Sequence, residues 1–150
     1  MLMGRMNSIV FASDLSKASG KAFAAAVAMA KANRATLTIL HVVAPFMPVA
    51  SEQYIRGETL EQINTEARRW SGRQVAKLAG KARKAGIRAV GLSAEGKPVH
   101  EILRAARSKR AGLIVVGTHG RTGLNRFFVG SVAERVVATA PCPVMIVRGR

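Results

Sequence analysis

The apolar pattern changes period several times along the chain. Residues 8–13, Ser-Ile-Val-Phe-Ala-Ser, make a short, nearly continuous apolar run, the pattern of a strand buried on both faces. Several candidate N-caps follow, then an Ala-rich helix from about residue 19 to Asn33, which serves as its stop. Residues 36–43, Thr-Leu-Thr-Ile-Leu-His-Val-Val, are a β-branched second strand. Pro45 and Pro48 break the pattern, and residues 44–57 read as an irregular excursion. A long helix is expected over residues 58–85, with Val75, Leu78, Ala82 and Ala85 as its buried stripe and Gly86 as a left-handed stop. Residues 87–93 form a third strand weakened by Gly91, and Pro98 opens a third helix that carries Ile102, Leu103 and Ala106 to about Lys109. Leu113-Ile-Val-Val116 has the strongest buried-strand signal; a Gly-rich loop, a helix over 131–139 and a last strand from Pro143 to Val147 complete the chain.

Strand and helix therefore alternate throughout. Crossover helices between consecutive strands predict an α/β fold: an open five-stranded parallel sheet with helices on both faces, built from residues 1–150 as a single domain.

Composition narrows the class. At 49% hydrophobic and only 5% aromatic residues, the core must be aliphatic. One cysteine excludes a disulfide framework and a Cys-based zinc site, and fits a reducing compartment. The longest Ala-rich apolar run, Ala22 to Ala30, has nine residues, about half of what a bilayer helix needs. The first residues lack a signal-peptide pattern, so a soluble, cytoplasmic protein is expected.

Charge changes the picture. The formal net charge is +16, and the excess is regional: residues 67–110 carry thirteen Lys and Arg against two Glu. Such a field concentrates polyanions without choosing among nucleotides, nucleic acid and anionic lipid. Arg69, Arg73, Lys77 and Lys81 recur at i, i+4 on the long helix, and each like-charged pair there costs about 0.2–0.5 kcal/mol. The stripe reads either as a solvated face on a protein kept soluble by charge or as a docking surface for a polyanion. Trp70 is its sole aromatic, so sequence-specific reading of single strands is not expected.

In an open parallel sheet, ligands bind beyond the carboxyl ends of the strands where strand order reverses, so the residues after each strand matter most. Asp14, the sole aspartate, follows the first strand. After the fourth comes Gly117-Thr-His-Gly120-Arg-Thr-Gly-Leu-Asn-Arg-Phe-Phe-Val-Gly130-Ser131. Its glycines remove side chains where backbone amides could approach a ligand, helix N-terminal amides at Gly130 and Ser131 favour phosphate, and Arg121 and Arg126 add cationic donors. Glycines alone fit equally well a turn that merely connects strand to helix. Neither a Walker A loop nor G-x-G-x-x-G is present. His119 has no carboxylate placed to orient it as a base, His41 and His100 read as structural, and Cys142 between two prolines reads as a buried small hydrophobe. Ser131 lacks a nucleophile elbow and reads as a phosphate ligand.

The spacing G-x2-G-x9-G-S from Gly117 to Ser131 resembles the nucleotide-binding signature of the ATP-binding class of universal stress proteins. Leu113–Leu124, Gly130–Val137 and Ala140-Pro-Cys-Pro-Val-Met-Ile-Val147 agree with it, as do Asp14 with Ser16, Leu40-His-Val42 and Gly96-x-Pro98. The similarity runs over residues 7–148. It departs at Arg110-Ala-Gly112, where members often have Gly-Ala-Asp, and in Lys and Arg that replace acidic helix residues.

The resemblance implies a Rossmann-like sheet ordered 3-2-1-4-5, with strands one and four adjacent. It implies adenine near Val42, ribose near Asp14 and Gly117, and triphosphate on Gly120, Gly130, Ser131 and the Val132 amide. Ser13, Val116 and Arg121 complete the expected site. The expected ligand is ATP with Mg²⁺ or Mn²⁺ bridging its phosphates beside Asp14. The expected function is a regulatory, ATP-binding stress-response homodimer with at most slow hydrolysis, paired through the edge strand Pro143 to Val147. The alternative is a polyanion-binding protein in which nucleotide binding is incidental.

Overall fold

The computed structural model describes residues 6–48, 56–118 and 130–149. Strand β1 (Ser8–Ala12) leads through a 3-10 turn (Lys17–Ser19) into helix α1 (Gly20–Asn33), then β2 (Thr36–Val43), α2 (Gly57–Lys84) and β3 (Ala89–Glu95). Helix α3 (Pro98–Ser108), β4 (Leu113–Gly117), α4 (Ser131–Thr139) and β5 (Val144–Val147) follow. The five strands form one parallel sheet in the order β3-β2-β1-β4-β5, the expected Rossmann-like arrangement.

The central strand explains its own sequence. Ile9, Val10 and Phe11 are all fully buried, because successive side chains point to opposite faces and both faces are covered. Ile9 and Phe11 join a core with Ala22, Ala26 and Ala30 of α1 and Val75, Ala79 and Ala82 of α2. Val10 faces the other core, with Ile102 and Ala106 of α3 and Ala133 and Val136 of α4. Helices α1 and α2 thus cover one face, and α3 and α4 the other.

The face of α2 differs from expectation. Ser71, Val75, Ala79 and Ala82 are buried, Leu78 is only partly so, and Ala85 is exposed. The reason lies in β3, where a Cβ at Gly91 would sit 2.7 Å from the Val75 carbonyl carbon. Helix and strand approach so closely that small residues must face the sheet, and Leu78 moves to the flank. Gly91, expected to weaken β3, is what lets this strand lie beneath the helix. A buried Ser71–Ser93 hydroxyl pair at 2.6 Å seals the contact.

Helices α1, α2 and α3 end by one device. After α2, Gly86 (φ 90°) donates to Arg83 O and Ile87 to Ala82 O, the paired bonds of a Schellman stop. Ile87 is thereby held by the helix, and β3 begins at Ala89 instead of the expected 87. Helices α1 and α3 end in the same way with arginine in the left-handed position, Arg34 (φ 54°) and Arg110 (φ 50°). Strand β5 begins one residue after Pro143, whose carbonyl still accepts from the Ile114 amide. Among the described residues, no helix is long and apolar enough to cross a membrane.

Candidate functional site

Strand order reverses between β1 and β4: the chain runs from β1 through β2 to β3 on one side, and from β4 to β5 on the other. Beyond the carboxyl ends of these two strands lies a cavity of about 360 Å³, within the range of small-molecule sites.

The loop after β1 forms one wall. Ser13 extends the sheet by donating its amide to Leu40 O at 2.8 Å. The Asp14 carboxylate oxygen Oδ1 accepts from the Ser16 amide at 2.9 Å and the Ser16 hydroxyl at 2.6 Å, an Asx turn. That turn holds Leu15 at φ 64°, a left-handed conformation that costs a branched residue about 1–2 kcal/mol. The hydroxyls are ordered in a chain. Ser19 gives its single proton to Ser16 O at 2.7 Å, so Ser13 must be the donor in the 3.1 Å Ser13–Ser19 bond. Ser13 Oγ in turn accepts the Leu15 amide at 2.9 Å.

His41 closes the adjoining side. Its Nδ1 lies 2.9 Å from Ser13 O, and because a carbonyl can only accept, Nδ1 carries the proton. The ring meets Trp70 of α2 edge-on at a centroid distance of 6.1 Å.

The opposite wall is the start of α4. Gly130 is its N-cap and provides no side chain to cap the first amides, which belong to Ser131 and Val132 on the cavity surface. Its position is set by bonds at either side of Thr118: the Gly130 amide donates to Thr118 O at 2.8 Å, and the Thr118 amide to Val147 O at 3.0 Å. A Cβ at Gly117 would meet nothing nearer than Val147 O at 3.9 Å. The protein's own packing therefore does not require glycine there.

Of the site residues expected from sequence, Ser13, Asp14, Val42, Val116, Gly117, Gly130, Ser131 and Val132 all border this one cavity. Gly120 and Arg121, with His119 and Arg126, lie outside the described residues. The cavity also draws in Ser19, His41, Thr118, Pro98 and Ile102, which the sequence reading did not place there. Pro98 and Ile102 are four apart on α3, a spacing that puts both on one helix face. Asp14 is the one carboxylate on the described lining, and no group of three or more His, Cys, Asp or Glu that could hold a metal occurs among the described residues.

The Universal stress protein family model matches residues 6–148. Universal stress protein YxiE of Bacillus subtilis (strain 168) is 36% identical over 146 residues, 95% of this chain and 99% of that protein. The structure of UspA from Lactobacillus plantarum superposes with a TM-score of 0.81 at 26% identity, covering 97% of this chain and 99% of that one. The universal stress protein from Archaeoglobus fulgidus solved in complex with dAMP shares the fold, with a TM-score of 0.64 at 20% identity over 95% and 97% of the two chains. With its sheet order, its switch-point cavity and a sequence match along nearly its whole length, this chain belongs to the universal stress protein family.

Proposed function

We propose that the cavity binds an adenine nucleotide, ATP, as a regulatory ligand, and that the chain acts as one nucleotide-binding domain of a cytoplasmic homodimer in the stress response. The observation that carries this reading is the arrangement of two walls. A carboxylate and serine oxygens stand on one side, and on the other the N-terminus of α4, which has no side-chain cap among the described residues. A triphosphate is repelled by Asp14 and attracted by the helix end, so the ribose belongs beside Asp14 and Gly117, and the phosphates run toward Gly130, Ser131 and the Val132 amide. The base then lies against Val42, with Val116 and Ser13 beneath it. Gly120 and Arg121, expected at the phosphate end, lie outside the described residues.

A Mg²⁺ or Mn²⁺ ion suits this set only as a bridge between phosphates. One carboxylate is enough for such a role and too few for a protein-held site. The ion would neutralise phosphate charge and so relieve its repulsion by Asp14. Hydrolysis is slow at most, because the Asp14 and His41 contacts described above serve loop geometry: Oδ1 holds the Asx turn, and Nδ1 holds Ser13 O.

The edge strand β5 supports the dimer. Its four residues are only half-covered, and Val132 and Val137 of α4 are exposed nearby. Mass spectrometry of ligand released from the purified protein tests the nucleotide reading. Near-stoichiometric adenine nucleotide is expected; its repeated absence, with no calorimetric heat on adding ATP and Mg²⁺, overturns it.

A further inference from the structure

We infer that the exposed face of α2, with the end of α1, docks the phosphate backbone of double-stranded nucleic acid. Arg73, Lys77, Lys81 and Lys84 are all exposed on this helix and span about 17 Å along it. Arg88 prolongs the row and donates from Nη2 to Arg34 O at 3.1 Å, which joins the exposed Lys31 and Arg34 to the same surface. The nearby acids are engaged elsewhere: Glu66 with Arg69 at 3.4 Å and Glu95 with Arg68 at 2.9 Å. Interaction with the helix dipole explains Lys81 and Lys84 in the last turn, but not Arg73 and Lys77, which lie beyond its reach and repel one another.

Charge complementarity names the partner. A duplex carries one negative charge per ~1.7 Å of its axis, and a row of cations at helical spacing neutralises it without reading bases. A membrane surface fits less well, because a basic patch alone is held only reversibly and stable binding takes a second signal, such as inserted apolar side chains. The apolar face of α2 is already buried in the sheet through Val75, Ala79 and Ala82. The row starts beside the middle of β3, where Val75 lies against Gly91, and runs away from the cavity to the amino ends of β2 and β3, where Arg88 O accepts the Leu37 amide; none of its cations lines the cavity. It therefore stands independently of the nucleotide reading.

The test is fluorescence anisotropy of a labelled duplex of about 20 base pairs, titrated with the full chain at salt concentrations from about 50 to about 200 mM. Four neutralised phosphates give a slope of about −3.6 in log affinity against log salt, a loss on the order of 100-fold across that range. Replacing Arg73, Lys77 and Lys81 by Gln should lower the slope by about 2.7. Replacing Arg104 and Arg107 of α3 and its C-cap Lys109 by Gln removes the same charge from the other side of the sheet, and should leave the slope within about one unit. Circular dichroism checks that both variants keep the fold. No binding at low salt, or equal losses in the two variants, overturns the proposal. So does capture by phosphatidylglycerol vesicles without duplex binding, or a change in oligomeric state as the only effect of the α2 substitutions.

Discussion

The Gly130 amide donates to the Thr118 carbonyl at 2.8 Å, and a Cβ on Gly130 would stand 3.1 Å from that same oxygen. The bond that starts α4 and the space left by glycine are thus one feature. Gly130→Val should displace the helix start and weaken ATP binding by at least about tenfold, on the order of 1.4 kcal/mol. Gly117→Ala is the sharper probe, since the protein itself has room for the methyl. Its stability should stay within about 0.5 kcal/mol of the parent while nucleotide affinity falls. Calorimetry showing unchanged affinity in both variants would place the ligand elsewhere.

Gly91→Ala should destabilise the fold by about 1–3 kcal/mol, because the new methyl overlaps the Val75 backbone and the strand or helix must shift. Urea denaturation reads this directly. An unchanged midpoint would contradict the close approach of α2 to β3.

Arg110→Gly should stabilise by about 0.5–1 kcal/mol. The residue sits at φ 50° in a Schellman stop, where glycine carries no Cβ penalty, less the entropy glycine adds to the unfolded chain. Thermal melts that show a lower midpoint would contradict the reading.

The carbonyls of Pro143 and Val147 accept from Ile114 of β4 and from Thr118 just beyond it, so by alternation the amide of Val144 points to the open edge. Val144→Pro removes one outward donor at a strand's first residue, a position that tolerates proline. It should convert the proposed dimer to monomer with the fold intact. Light scattering that finds the parent chain monomeric at micromolar concentration would refute pairing through this edge.

Burial raises the Cys142 thiol above its ordinary pKa, so less thiolate is present at neutral pH. Alkylation by iodoacetamide should be slower than that of glutathione at pH 7.5 to 8, and should accelerate as pH rises further. A faster reaction would show that desolvation does not dominate there.

Strands β1, β2, β4 and β5 were readable because each is an apolar run bounded by turn residues, whereas the mixed β3 was read two residues early; α4 and α3 open at the residues that Ser131 and Pro98 announce. Strand order is another matter. Periodicity says nothing about which strands are neighbours, and the order came from the resemblance in the Gly117–Ser131 loop. Hydropathy chose Leu78 over Ala79 because it rewards size, whereas close approach at Gly91 rewards smallness. Ser19, His41 and Thr118 could not be placed at the cavity from sequence, because each arrives there through a hydrogen bond to a distant or looping segment of backbone or side chain. A histidine at the carboxyl end of a strand beside the switch point was the one signal available for His41.

The hydroxyl chain of the β1 loop gives the cavity a direction. The protons of Ser13, Ser19 and Ser16 are all committed inside the loop, to Ser19 Oγ, Ser16 O and Asp14 Oδ1 in turn. With their protons given away, the Ser13 and Ser19 hydroxyls on the cavity surface act as acceptors, while the start of α4 presents N–H groups. A phosphate oxygen, which only accepts, gains nothing from the Ser13 and Ser19 hydroxyls, whereas a sugar hydroxyl, which can donate, gains a bond. In the proposed complex, this difference in hydrogen-bond sign would orient the nucleotide with its sugar toward the β1 loop and its phosphates toward α4.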